Sequence, residues 1–436
     1  MQPVKIGLMG LGTVGGGTAT VLLRNCEEIA RRVGRKLEVV HVAAKDITEQ
    51  TILDPAKVKL SDDAASVVND PDVDIVVELI GGYSPAKELV LKAIENGKHV
   101  VTANKALIAI HGAEIFRAAQ EKGVIVAYEA AVAGGIPIIK AIREGLAANR
   151  IEWVAGIING TGNFILTEMR DKGRDFNDVL AEAQALGYAE ADPTFDVEGI
   201  DAAHKLTILA SLSFGIELQF DKTFTEGISK ITREDVSFAE ELGYRIKHLG
   251  IARKTDRGIE MRVHPTLIPA SRLIANVDGV MNAVLVKADA VGATLYYGAG
   301  AGAEPTASAV VADLVDVARA MNVDVENRVA ALGYQPESLE ETVVVAQEEF
   351  ETAYYVRMLA DDRPGVLADV TRIFADNEIS IEAVIQKEPK DGQHRVCLIM
   401  MTSQIIEKNM IEALHKIEAL DSIKGEVVRI RLEHLG

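Results

Sequence analysis

Only two cysteines, Cys26 and Cys397, occur in 436 residues, and they fall in separate predicted domains. A disulfide framework is therefore ruled out, and a reducing, cytoplasmic setting is expected. Basic residues are also scarce: 46 Lys and Arg stand against 65 Asp and Glu, a formal net charge of −19. Such a chain has nothing with which to neutralise a phosphate backbone, which argues against nucleic acid. Its basic residues are scattered, which weakens the case for an anionic membrane surface as well. Long apolar runs are missing, since none approaches the roughly 20 residues that span a bilayer. The N-terminal MQPVKIGLMGLG is broken by glycines and leads into a strand-turn-helix pattern, so it is no signal peptide. The nine histidines form neither a metal-spacing pair nor a nucleophile–base motif. No long repeat and no low-complexity tract is present.

What remains is the composition of a globular enzyme, with 48% hydrophobic and 25% charged residues, in a chain long enough for two or three domains. Strands at Val4–Met9, Leu37–Ala43, Asp74–Leu79, Lys98–Thr102 and Val124–Tyr128 alternate with helical stretches, the first spanning Thr13 to Val33. That alternation predicts a parallel, doubly wound α/β sheet. From Ile151 the pattern changes. A strand at Ile151–Ile158 is followed by helices to about Phe214. Strands resume at Tyr244–Ala252, Glu260–Leu267, Gly279–Lys287 and Ala290–Tyr297, which predicts an α+β domain with a largely antiparallel sheet. The segment Thr306–Ala320 is apolar on nearly every side, and as a helix it is expected to be buried, packed back on the first domain.

Gly333–Glu351 reads as an acidic linker. Beyond it, strands at Ala353–Leu359, Ile379–Gln386, His394–Thr402 and Gly425–Leu432 interleave with helices at Val366–Ala375 and Ile405–Leu420, and Asp391-Gly392 supplies a hairpin turn. The order βαββαβ is the ferredoxin-like split arrangement. The expected division is 1–130 with a return helix within 306–330 for the dinucleotide-binding domain, 131–305 for catalysis and dimerisation, 331–351 for the linker, and 352–436 for the C-terminal module.

Gly10-Leu11-Gly12-Thr13-Val14-Gly15 is a G-x-G-x-x-G directly after a strand and opening a helix. Gly10 permits the tight turn, Gly12 lets the backbone approach a pyrophosphate, and Gly15 allows close helix–strand packing; the helix N-terminus, with Thr13 and Val14, faces the phosphates. The second strand ends at Ala43-Ala44 before Lys45-Asp46. Asp46 suits a ribose hydroxyl and NAD, Lys45 a 2′-phosphate and NADP, so both cofactors stay open.

Two segments carry charge where packing alone would not place it. Lys105, in Thr102-Ala103-Asn104-Lys105, follows the C-terminal end of a buried strand, the edge at which ligands bind in an open α/β sheet. Asp201 and Lys205 stand at i, i+4 on a helix whose same face continues with Ile208, Leu209 and Leu212. An inward charged pair is costly unless it is partnered or functional, so a cleft is expected here.

These segments, together with Glu129–Pro137, Gly160–Phe164, Glu190–Lys205 and Gly300–Thr306, resemble the homoserine dehydrogenase family over nearly the whole chain and in its order. The chain departs at Gly162, where the family more often has a second threonine. The resemblance implies reversible NAD(P)-dependent interconversion of L-homoserine and L-aspartate 4-semialdehyde, a step toward threonine, methionine and isoleucine. It implies that Lys205 is the general acid and base, oriented by Asp201, and that Lys105 holds substrate and nicotinamide and polarises the carbonyl. Glu190, Asp196 and Thr161 would bind substrate, with Glu190 on its ammonium, while Thr102 and Gly302 would touch the cofactor. The loop Glu129–Ile136 resembles the family's monovalent-cation site, with a sodium-like ion on carbonyls of Glu129, Val132, Gly134 and Ile136. Asp361–Leu367 resembles the ACT domain, which implies an amino-acid effector, threonine, with Gly365 opening backbone amides to its carboxylate and Asp362 taking its ammonium. ACT modules pair, so a homo-oligomer, dimer or tetramer, follows.

Two other readings compete. A Rossmann–ACT 2-hydroxyacid dehydrogenase needs a histidine–carboxylate–arginine set that is not found here at comparable positions. A non-catalytic amino-acid sensor would have degraded catalytic charges, whereas Lys105, Glu190, Asp201 and Lys205 are all present. Neither cysteine is placed as a nucleophile, which argues against an acylating aldehyde dehydrogenase. No aspartokinase-like segment precedes the first domain, so a monofunctional enzyme is expected.

Overall fold

The computed structural model describes residues 2–45, 47, 52–387 and 394–436. Asp46 and the turn Asp391-Gly392 lie outside these residues.

The N-terminal half is built from β1 (Val4–Met9), α1 (Thr13–Arg24), α2 (Cys26–Val33), β2 (Leu37–Ala43), β3 (Lys59–Ser61), α3 (Ala64–Val68), β4 (Ile75–Glu78), α4 (Ala86–Glu95), β5 (His99–Thr102), α5 (Lys105–Lys122) and β6 (Val126–Ala127). Among the described residues these strands form a six-stranded sheet in the order β3-β2-β1-β4-β5-β6, parallel throughout. The chain leaves β1 for β2 on one side and β4 on the other, so a crevice opens at the carboxyl ends of β1 and β4. The single helix expected over Thr13–Val33 is broken. Asn25 leaves helical geometry (φ −105°, ψ 20°), ending α1 and starting α2. An Asn ahead of Glu27 and Glu28 is a helix-start signal that the apolar periodicity masks.

The middle of the chain supplies α6 (Ile138–Lys140), β7 (Ile151–Ile157), α7 (Gly160–Lys172), α8 (Phe176–Ala185), α9 (Thr194–Val197), α10 (Ile200–Phe214), β8 (Phe224–Thr225), α11 (Arg233–Glu241), β9 (Tyr244–Thr255), β10 (Gly258–Pro269), β11 (Met281–Ala288), β12 (Gly292–Ala299) and α12 (Ala303–Ala320). Helix α12 begins at Ala303, three residues before the expected start, because Gly302 (φ 119°) turns the chain into it. It returns to the first domain and lies along α1, where Gly17 is the contact: a Cβ there would come within 2.5 Å of the Ala303 carbonyl. Val310, Leu314 and Val317 join Ile6, Leu8 and Leu22 in one core.

The C-terminal unit contains β13 (Glu351–Asp361), α13 (Val366–Asp376), β14 (Ile381–Gln386), β15 (Arg395–Thr402), β16 (Ile405–Ile406), α14 (Glu407–Glu418) and β17 (Ile423–Leu432). Its strand order β17-β13-β15-β14 is that of the ferredoxin-like fold. Ile405 and Ile406 pair with the start of β13 rather than joining the helix, which begins at the buried Glu407. This unit is not a separate sheet. Thr266↔Arg431 and Leu267↔Leu432 join β10 to β17 in parallel, so the middle and C-terminal units share one eleven-stranded sheet among the described residues. No described helix is long and apolar enough to cross a membrane.

Candidate active site

Three sheet and helix ends converge on one cleft: the carboxyl edge of the parallel sheet, the start of α5 and the start of α10. Gly199, in the left-handed region (φ 83°), turns the chain sharply into α10. The first turn of that helix presents Asp201, and Lys205 follows one turn later. Leu206, Ile208, Leu209 and Leu212 beneath them are buried, so the helix is pinned by its apolar residues with the charged pair at the cleft.

Asp201 is 4% exposed and is the hub. Its Oδ2 accepts from Lys205 Nζ at 2.7 Å and from Asn159 Nδ2 at 2.8 Å, while its Oδ1 lies 3.1 Å from Lys105 Nζ. Lys205 Nζ also donates to the Ile158 carbonyl at 2.7 Å. The two ammoniums share one carboxylate but not one environment. Burial pulls Lys205 below the ordinary lysine range, helped by the nearby Lys105 charge and opposed by Asp201. Lys105 is raised, first by Asp201 and then by Asp196 and Glu190, against its own desolvation. Burial opposes ionisation of Asp201, but the two lysines overcome it and hold the carboxyl well below the usual range. The cleft thus keeps Lys105 charged and leaves Lys205 the proton that is easier to remove.

Asp196 is brought into the same group, since Asn159 Nδ2 donates to its Oδ1 at 2.7 Å, and burial and the Asp201 charge raise its pKa. Glu190 is exposed at the mouth, close enough for its charge to act on Lys105. Thr161 is turned inward: its hydroxyl donates to the Tyr188 carbonyl at 2.6 Å and ties down the loop that carries Glu190. Gly162 is held in place too, its amide donating to Asn159 Oδ1 at 2.7 Å.

On the nucleotide side, Gly10 has φ 97° and its Cβ would stand 2.7 Å from the Leu79 carbonyl, while a Cβ at Gly15 would stand 2.1 Å from the Gly10 carbonyl. At Gly12 a Cβ would meet nothing within 4 Å. Helix α1, beginning at Thr13 and Val14, has no side-chain cap among the described residues. Helix-start amides without a side-chain cap suit a pyrophosphate. Thr102 and Gly302 border this crevice from β5 and α12. The Thr102 hydroxyl is already committed, donating to Glu78 Oε2 at 2.6 Å and accepting from the Asn104 amide at 3.0 Å. Lys45 is exposed just past β2.

The Glu129–Ile136 loop has two kinds of carbonyl. Those of Glu129 and Ile136 accept the amides of Val132 (3.5 Å) and Ile138 (2.8 Å). Among the described residues no donor reaches the carbonyls of Val132 or Gly134. Gly134 has φ 38°, and a Cβ there would stand 2.6 Å from the Gly300 carbonyl, so only glycine fits. The Glu129 carboxylate is spent on the amides of Ile139 and Lys140, each at 2.9 Å, and its own amide donates to Asp313 at 2.7 Å. Burial raises Glu129 and pushes Asp313 up to about 7.

In the C-terminal unit, Asp362, Gly365, Gln386 and Leu398 line a cavity of about 340 Å³. Gly365 (φ 97°) starts α13 with no side-chain cap. A larger cavity, about 570 Å³, opens between α5, α12 and residues 325–339, but Lys105, Asp201 and Lys205 do not line it. Volume alone does not find the chemistry.

Several site residues escaped sequence reasoning. Asn159 ties Asp196 to Asp201, and its signal was a helix-cap residue at the end of a strand. Buried Glu78 accepts the amides of Ile80 and Gly81 (2.8 and 3.0 Å) besides Thr102; its signal was a carboxylate ending a central strand. Phe195, with Lys105 Nζ 5.9 Å from its ring, left no signal.

Comparison with known proteins places these features in one family. Residues 10–129 match the profile described as homoserine dehydrogenase, NAD binding domain; residues 137–315 match homoserine dehydrogenase, and residues 354–419 the ACT domain. The chain is 65% identical, over the full length of both chains, to homoserine dehydrogenase of Pseudomonas aeruginosa, and 56% identical, again over both full lengths, to that of Neisseria gonorrhoeae. The crystal structure of a homoserine dehydrogenase from Thiobacillus denitrificans superposes with a TM-score of 0.95 at 64% identity, covering 100% of this chain and 99% of that one. A hyperthermophilic archaeal homoserine dehydrogenase in complex with NADPH covers 72% of this chain and 97% of its own, at 26% identity and a TM-score of 0.62.

Proposed function

The chain belongs to the homoserine dehydrogenase family, oxidoreductases acting on CH–OH, and we propose that it oxidises L-homoserine reversibly to L-aspartate 4-semialdehyde in the cleft between its parallel sheet and α10. The carrying observation is the pair of unlike lysines on one carboxylate, Lys205 and Lys105 on Asp201. NAD(P)+, when bound, would supply the hydride acceptor, and the start of α1 beside Gly12 would hold its pyrophosphate.

Lys205 takes the hydroxyl proton of homoserine and returns it to the aldehyde oxygen in the reverse direction. A general base works best with a pKa near the operating pH, and burial moves Lys205 that way. Lys105 stays charged, binds the reacting oxygen and stabilises developing negative charge. Asp201 sets both ammoniums in place. Glu190 and Asp196 offer carboxylates to the substrate ammonium, and Thr161 fixes the loop that carries Glu190.

Among the described residues the carbonyl oxygens of Val132 and Gly134 accept no hydrogen bond, which suits a hard monovalent cation such as sodium. Glu129 and Ile136 would complete such a site, which would brace the junction between the two domains. The cavity at Asp362 and Gly365 suits an α-amino acid, its carboxylate on the α13 amides and its ammonium on Asp362. Threonine, the pathway end product, is the effector this reading assigns, in a homo-oligomer paired through C-terminal modules.

Nicotinamide absorbance tests the reading, with purified protein, L-homoserine, NAD+ or NADP+, and L-threonine present or absent. Homoserine-dependent reduction supports it. No turnover from a folded, nucleotide-binding protein would refute it, in favour of the sensor reading.

A further inference from the structure

His204 precedes Lys205 on α10, is fully buried, and takes no part in the proton chemistry assigned to that helix. Its imidazole lies parallel to the ring of Phe220, with centroids 4.2 Å apart and an interplanar angle of 4°, and it also stacks on Phe195 at 5.4 Å and 27°. Its Nε2 is 3.3 Å from the hydroxyl of Tyr83. Tyr83 belongs to the other side of the cleft, in the turn after β4 that also holds the amides capped by Glu78. Tyr83 in turn meets His111 of α5 edge-on at 6.2 Å.

A histidine serving only its own core would find its partners within one domain. Here the side-chain partner of Nε2 comes from the dinucleotide-binding half, and the hydroxyl that reaches it sits on a residue 43% exposed at the cleft. The stack lies beside the lysine site: Lys205 is the next residue on the helix, and the Phe195 ring that stacks on the imidazole also has Lys105 Nζ 5.9 Å from its centroid. Burial holds His204 neutral, its pKa down at about 4, and the charges of Lys105 and Lys205 work in the same direction while Asp201 opposes them. A neutral ring adds no third positive charge beside the two ammoniums. It can exchange a hydrogen bond with a phenol that water also reaches.

We infer that Tyr83 and His204 form a latch across the cleft, a pair of positioning residues that hold the dinucleotide-binding half closed on α10 over bound nucleotide and homoserine. This rests on the functional reading above. The latch makes and breaks no covalent bond; it exchanges one side-chain hydrogen bond for solvation of the Tyr83 hydroxyl.

The test compares Tyr83→Phe, His204→Phe, the double variant and His204→Gln by steady-state kinetics and by nicotinamide fluorescence titration with NADH and NADPH. One lost hydrogen bond across a partly solvated cleft corresponds to roughly a five- to tenfold change. Tyr83→Phe and His204→Phe should each raise KM for nucleotide and homoserine by about that factor while kcat stays within about threefold. The double variant should be no worse than either single one, because one contact can be lost only once. His204→Gln, which keeps a polar partner for Tyr83, should recover more of kcat/KM than His204→Phe. Additive losses, a fall in kcat with KM unchanged, or a Tyr83→Phe protein indistinguishable from wild type would each overturn the latch. Tyr83→Phe keeps its ring and most of its packing, so it decides the matter even if His204 variants do not fold. A wild-type protein that binds nucleotide but leaves homoserine untouched would sink the functional reading; the NADH and NADPH dissociation constants of wild type and Tyr83→Phe would still test the latch.

Discussion

Two of the places where the molecule buries charge are built in opposite ways. At the seam where β10 meets β17, Arg431 donates to Glu407 through Nε (2.8 Å) and Nη2, and to Glu226 through Nη1 (2.7 Å), with its guanidinium 4.8 Å from the Phe224 ring. Glu407 also accepts from Tyr354 (3.0 Å) and Gln347 (2.7 Å), and lies 3.3 Å from Arg429. Beside it Glu433 takes Arg262 at 2.5 Å and Arg253 at 2.6 Å. In the cleft, two ammoniums share Asp201, and Lys105 remains about one-third exposed (34%). Charge met from several sides is locked, as at Glu407. Charge that is buried and shares its one carboxylate is pulled below its ordinary pKa, as at Lys205. Even the seam is not perfect, since Nε and Nη1 of Arg262 find no hydrogen-bond partner among the described residues and the guanidinium faces the Phe350 ring at 5.3 Å.

The contrast breaks most visibly at Lys205. Lys205→Ala should lower kcat on the order of 10³-fold or more, within or beyond the range of general acid–base catalysis, with nucleotide affinity nearly unchanged. Stopped-flow turnover and fluorescence titration read the two separately, and a variant that kept most of its activity would end the assignment. At the seam the damage should fall on stability. Glu407→Ala takes from Arg431 and Arg429 the buried carboxylate they share and should cost about 3–5 kcal/mol, read by denaturant unfolding, while kcat/KM measured well below the transition stays near wild type. Glu407 is desolvated, yet Arg431 holds its pKa below the usual value. Its contribution is therefore present above the unfolded carboxyl pKa and lost as pH falls through the folded one, so wild type and Glu407→Gln should converge in stability on acidification. Asp201→Asn sharpens the comparison from the cleft side. It removes the charge that raises Lys205, so the midpoint at which homoserine oxidation rises with pH, where Lys205 loses its proton, should move downward, with kcat reduced roughly 10²-fold. The smallest effect is expected at the exposed pair Lys230–Glu426: Lys230→Ala should leave both the melting temperature and the kinetics unchanged within error.

Sequence and structure agree where the signal is local. Gly10, Gly12 and Gly15 show themselves because a strand precedes them and a helix follows. Asp201 and Lys205 show themselves because helical spacing puts them on the face that continues into Ile208 and Leu209. What stayed hidden depends on residues far apart in the chain. Asn159 meets Asp201 across 42 positions, Tyr83 meets His204 across 121, and Arg431 meets Glu226 across 205. No periodicity encodes such pairs, because the fold alone brings them together. The continuous sheet through β10 and β17 was hidden for the same reason, since a two-residue parallel ladder leaves no pattern in either strand. The break at Asn25 is the opposite case: the cap signal was local, and the apolar periodicity on either side outweighed it.

Of the two lysines on Asp201, Lys205 and not Lys105 is expected to give up its proton. Titration of protein labelled with 13Cε-lysine, followed by NMR with the two resonances assigned through Lys105→Arg and Lys205→Arg, tests it without relying on turnover. The expected result is a Lys205 midpoint below the ordinary lysine value of about 10.4 and a Lys105 midpoint above it. The reverse order, or two lysines titrating together at the ordinary value, would contradict it.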